Sequence, residues 1–133
     1  MAVEIKGLEE ALRKLRGLGS AVTQHAAKAV YREAEEVMRD SKENYVPVVT
    51  GTLRRSGFVQ PPEVGPGGFS VRLGYGGPAA PYAFAVHENP NAGQSAKGSR
   101  VGQWKYLEQP LMQAQEKIRR AITSAIGDAF KKG

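Results

Sequence analysis

Cysteine is absent from the 133 residues, and histidine occurs only as His25 and His87. The first absence excludes disulfides, thiolate zinc sites and cysteine nucleophiles. The second excludes a histidine-rich metal centre. Long apolar runs are missing too. Proline and glycine break every uncharged stretch well before the roughly 18 apolar residues of a membrane span. The opening Met1-Ala2-Val3-Glu4-Ile5-Lys6 has no basic segment followed by an apolar one, so no secretory leader is expected. The reading at this point is a soluble chain made in the cytoplasm. Its length suits a single domain over residues 1–133, with a core that holds without covalent staples.

Acidic residues run short toward the end of the chain. Lysine plus arginine is 19 against 13 aspartate plus glutamate, a net charge of +6. Residues 1–44 carry eight of each sign, residues 45–96 have a net charge of +1, and residues 97–133 have a net charge of +5. A basic final third steers a protein toward phosphates or acidic protein surfaces. The plainer alternative is a solvated helix face.

Hydrophobic spacing gives the elements. Val3-Glu4-Ile5 alternates as a short strand does. Leu8, Ala11, Leu12, Leu15 and Leu18 fall at helical spacing and predict a short amphipathic helix over 8–18, flanked by Gly17 and Gly19. Ser20 is a plausible N-cap for a second helix, with a stripe of Ala27, Val30, Ala34, Val37, Met38, Ser41 and Tyr45 that Pro47 ends. Glu35 and Arg39 sit one turn apart on its outer face. Thr52–Val59, Phe69–Leu73 and Tyr82–His87 read as strands broken by proline and glycine. Leu107, Leu111, Ile118, Ile122 and Ile126 line a last long helix, with Pro110 in its first turn. The predicted fold is α+β: a small antiparallel meander of three to four strands packed against two long helices, plus a short N-terminal helix. Residues 89–103 are polar and glycine-rich, and read as a mobile loop that a partner orders.

Few residues suggest chemistry. His87-Glu88 has the composition of a general-base pair, but neighbours on a strand point to opposite faces. Thr50-Gly51-Thr52-Leu53-Arg54-Arg55-Ser56 offers backbone amides and two guanidinium groups to an anion, without the spacing of a nucleotide loop. Its arginines equally suit planar acceptors at a subunit interface. Trp104 and Tyr106 have the rings to stack on bases, or to anchor a segment on a core or partner. No paired carboxylates, metal spacing or nucleophile set emerges. The expectation is a binding or assembly protein rather than an enzyme, with no cofactor and no metal.

Four strings, in order, resemble one family. Tyr45-Val46-Pro47-Val48-Val49-Thr50-Gly51-Thr52-Leu53-Arg54-Arg55-Ser56 resembles the V-P-V-x-T-G-x-L-R-x-S stretch of small tail-component, tail-completion or head–tail joining proteins of long-tailed phages and prophages. Tyr82-Ala83-Phe84-Ala85-Val86-His87-Glu88 is similar to their Y-A-x-x-V-H-E segment. Lys105-Tyr106-Leu107-Glu108-Gln109-Pro110-Leu111 is similar to their K-F-L-x-x-P-L lead into the final helix. Ile5-Lys6-Gly7-Leu8-Glu9-Glu10-Ala11-Leu12 resembles their first helix. Val49 stands where the family carries an acidic residue, which removes a salt bridge from that connector.

The resemblance implies a structural virion protein at the head–tail junction. It implies a homo-oligomeric ring, a hexamer in preference to a dodecamer. The partners it implies are the head connector and the tail tube or tail terminator proteins, with DNA close by in the lumen and no membrane. Residues expected at its interfaces are Thr50, Arg54, Arg55, His87, Glu88, Lys97, Arg100, Trp104 and Tyr106. The rival reading is a small basic nucleic-acid-binding module, whose affinity would fall steeply with salt.

Overall fold

The computed structural model describes residues 2–6, 20–47, 51–65, 68–78, 80–89 and 105–132. Its elements in chain order are β1 (Ala2–Lys6), α1 (Ser20–Asp40), a π turn (Ser41–Tyr45), α2 (Thr52–Arg55), β2 (Phe58–Val59), β3 (Glu63–Gly65), β4 (Gly68–Gly74), α3 (Ala83–His87) and α4 (Glu108–Lys132). The architecture is α+β, a four-stranded antiparallel sheet with two long helices. The helix expected over 8–18 and the loop residues 90–103 lie outside the described residues, as do Thr50, Lys97, Arg100 and Trp104.

β4 is the centre of the sheet. β1 pairs along its whole length on one side, from Ala2 opposite Gly74 to Lys6 opposite Ser70. β2 and β3 both pair with β4 on the other side. They are two pieces of one strand. The Gln60 amide donates to the Arg72 carbonyl at 2.8 Å and continues the ladder to Pro61-Pro62, which have no donor to give. Along β4, Phe69, Val71 and Leu73 are buried while Arg72 is exposed, so the alternation read from the sequence faces one side to the core.

α1 buries Thr23, Ala26, Ala27, Val30, Ala34, Val37 and Met38. These positions repeat at three and four residues, and the alanines let neighbouring backbones approach closely. α4 supplies Ile118, Ile122 and Ala125 to the same core. Each Val, Leu or Ile taken out of water contributes roughly 1.5–3 kcal/mol. The two helices run antiparallel. Tyr45 hydrogen-bonds Gln113, while Glu36 and Glu33, further back on α1, meet Lys117, further along α4. α1 closes in a wide turn in which the Val46 amide donates to the Ser41 carbonyl at 2.7 Å. Val46 then leaves in an extended conformation (ψ 132°), as the residue before proline must.

Two expected strands are helical turns. In Thr52–Val59 only Phe58 and Val59 pair; Thr52–Arg55 form α2. Gly51, at φ 81°, turns the chain, and its carbonyl accepts the Arg55 amide at 2.9 Å. In place of a strand over Tyr82–His87 the chain forms α3. The apparent alternation grouped Tyr82, Phe84 and Val86, but the residues that enter the core are Ala83 and His87, one helical turn apart. The sheet is therefore a broken hairpin joined by β1, rather than a meander that includes residues 82–87.

Gly57 sits where no side chain fits. A Cβ there would lie 2.9 Å from Met38 Sδ and 2.9 Å from Tyr75 Cε1, both in the core. Gly57→Ala is expected to lower stability by roughly 1–3 kcal/mol in urea unfolding. Gly65→Ala, with nothing within 4 Å of the added carbon, serves as the near-neutral control.

Candidate functional site

The sequence-selected residues that the structure describes fall in two places. His87, Glu88 and Tyr106 come together where α3 meets the start of α4. Arg54 and Arg55 lie apart from them, exposed on α2.

Tyr106 is fully buried. Its hydroxyl donates to the Ala83 carbonyl at 2.6 Å. Its own carbonyl accepts from Ser41 Oγ at 2.5 Å. Ser41 spends its one hydrogen there, so at 2.7 Å it is Tyr75 that donates its hydroxyl to Ser41 Oγ. The Tyr106 ring meets the Tyr75 and His87 rings edge-on, each at a centroid distance of 4.9 Å. Burial pushes the Tyr75 hydroxyl up to about 12, against smaller opposing effects from Ser41 and Arg54. Burial also raises Tyr106, with Tyr75 and Tyr82 adding to it.

His87 joins the same cluster. The Glu108 amide donates to His87 Nε2 at 3.3 Å, so that nitrogen is unprotonated. Nδ1 therefore bears the hydrogen and donates to Glu88 Oε1 at 3.2 Å. The two side chains converge rather than diverge, because α3 replaces the expected strand. Both imidazole nitrogens are engaged and the residue is 5% exposed. In that position it caps the first turn of α4.

Lys105 closes the clamp. It holds a left-handed backbone at φ 55°, and its amide donates to the His87 carbonyl at 2.7 Å. Its ammonium bridges Glu88 at 2.7 Å and Glu108 at 3.1 Å. Lys105, followed by His87, holds the Glu88 carboxyl below its usual value, while Glu88 and then Glu108 raise Lys105. Residues 87–89 and 105–108 thus pin together the two ends of the segment 90–104.

On α2 the side chains divide. Leu53 is buried, and Ser56 Oγ donates to the Leu53 carbonyl at 2.6 Å while accepting the Gly76 amide at 3.0 Å. Arg54 and Arg55 are exposed, and among the described residues the latter makes only a 3.4 Å contact with Thr52. Sequence reading had singled out neither Ser41, Tyr75 nor Lys105. Ser41 was visible as a polar residue on an apolar stripe, which is the mark of a buried hydrogen-bonding group. Lys105 is marked in the sequence only as the first residue of the family-like string that ends at Leu111.

Among the described residues, no three His, Asp or Glu side chains group as metal ligands, and no helix is long and apolar enough to cross a membrane. No protein-family model, curated protein or solved structure matches the chain.

The tyrosines make the clamp sensitive to alkali. Tyr75 and Tyr106 have raised folded values, so their contribution is complete below the unfolded value of 10.0 and disappears as pH climbs through the folded ones. Tyrosinate absorbance at 295 nm should rise later in the folded protein than in denaturant, and the melting temperature should fall above pH 10. In acid, Glu88 and Glu36, both held low, lose their contributions below pH 4.5. That loss is small because both carboxylates are exposed.

Proposed function

We propose that this chain is a structural virion protein of a long-tailed phage or prophage, a ring subunit at the head–tail junction that completes or joins the tail. One observation carries the reading. Two of the family-like strings, far apart in sequence, are the two sides of one clamp. Tyr82–Glu88 supplies Ala83, His87 and Glu88; Lys105–Leu111 supplies Lys105, Tyr106 and Glu108. Residues that look incidental when read singly make sense as one hydrogen-bonded unit. A third string contributes the Gly51 turn, buried Leu53 and the Ser56 link to Gly76, and leaves Arg54 and Arg55 facing out.

The division of labour suits an assembly subunit. The motif residues that bond inward hold the shape, and the exposed arginines remain for a neighbour. Arginine presents a planar donor fork that matches carboxylates at an interface. The proposed partners are further copies of the chain, the head connector and the tail tube or terminator.

The test is solution mass by light scattering, with negative-stain imaging. Closed annuli of six or twelve copies support the reading. A monomer that binds DNA of any sequence, with affinity falling steeply against salt, would favour the nucleic-acid module instead. Arg54→Glu with Arg55→Glu is expected to leave the circular dichroism spectrum unchanged and to block annulus or virion assembly. Unchanged assembly would remove these arginines from the interface.

A further inference from the structure

The two long helices carry their charges in opposite blocks. Residues 33–44 and 108–117, which lie together at one end of the antiparallel pair, hold seven acidic against three basic residues, a net charge of −4. Residues 20–32 and 118–128, at the other end, hold Lys28, Arg32, Arg119 and Arg120 against Asp128, a net charge of +3 before Lys131 and Lys132 are counted.

At the acidic end, Glu33, Glu36, Asp40 and Glu43 repeat at three and four residues, so they share one face of α1 and its closing turn. Like charges at that spacing repel. A single cation enters the stripe from α4: Lys117 reaches Glu36 at 2.5 Å and Glu33 at 3.7 Å. Lys117 also lines a groove of about 280 Å³ between α1 and α4, alongside apolar Val37, Pro110 and Ala114 and acidic Glu33, Glu36 and Asp40. Such a groove accepts the methylene stem of a lysine or arginine on its apolar side chains and the charged head at its carboxylates. At the other end, Lys28 and Arg32 are exposed one turn apart on α1, again a like-charge spacing. Arg119 and Arg120 are exposed and, among the described residues, reach only Glu116, at 3.7 and 4.0 Å. Contacts that long between exposed groups leave the guanidinium groups available to a partner.

We infer that the acidic groove between α1 and α4 receives the basic end of the same two helices from a second copy of the chain. Charge complementarity selects that occupant, because one chain carries both halves of the match. The contact is head-to-tail, so it generates a ring where the rotation closes. The inference rests on the reading of the chain as an assembly subunit and names the surface through which copies would meet.

Charge-swapped variants test it. Lys28→Glu with Arg32→Glu takes the basic block from a net charge of +3 to −1; Glu36→Lys with Glu43→Lys takes the acidic block from −4 to 0, so each variant loses the complementarity at one end. All four positions are exposed, and circular dichroism checks that each variant folds; the milder Glu36→Gln with Glu43→Gln covers a failure of the reversal. In sedimentation velocity, wild-type association should weaken by about tenfold or more between 0.05 and 0.5 M salt. Each swapped variant alone should be monomeric where the wild type associates, and an equimolar mixture of the two should associate again. A monomeric mixture, or swapped variants that associate as the wild type does, would overturn the contact. Annuli formed by each swapped variant alone would overturn it while leaving the neck reading in place; loss of annuli from every sample, wild type included, would count against both.

Discussion

The structure depends on the placement of one tyrosine. Tyr106 is where the turn that closes α1, Tyr75 just after β4, α3 and the start of α4 all meet, through two hydrogen bonds and two edge-on rings. Its hydroxyl and its carbonyl are each paired with a buried group of another segment. Leaving a buried donor or acceptor unpaired costs about 1–3 kcal/mol, so the partners constrain one another. Ser41 has one hydrogen and gives it to Tyr106; Tyr75 must then give its own to Ser41. The direction of every bond in this chain follows from the first.

The same tyrosine explains why α4 begins where it does. The first turn of a helix has amides with no internal partner. Here the Glu108 amide finds His87 Nε2, which is in place because the His87 ring packs on Tyr106. Lys105 accepts a left-handed backbone, which costs a non-glycine residue roughly 1–2 kcal/mol. Its amide and ammonium gain partners on His87, Glu88 and Glu108 in return.

The long elements were legible in the sequence, and the short ones were not. α1 and α4 each repeat their apolar positions over several turns, and β4 alternates over its full length. α2 and α3 are single turns of four and five residues. A period cannot be measured over one repeat, so Thr52–Arg55 and Ala83–His87 were read as the strands that their aromatic and branched neighbours suggest. In the clamp, residue type drew attention to His87, Glu88 and Tyr106. What remained hidden was their joining across the segment 89–104, since no local spacing records a contact between residues so far apart. The charge blocks were missed for a different reason. Summing residues 1–44 to zero averaged a helix that changes sign between Arg32 and Glu33.

The pinned base of the segment 90–104 also bears on how this protein tolerates change. The ends are tied by His87, Glu88, Lys105 and Glu108. A residue added or removed within 83–89 or 105–108 slides these partners past one another and breaks the knot. The two strings that form it are therefore halves of one joint, and a change in either half has to be answered in the other.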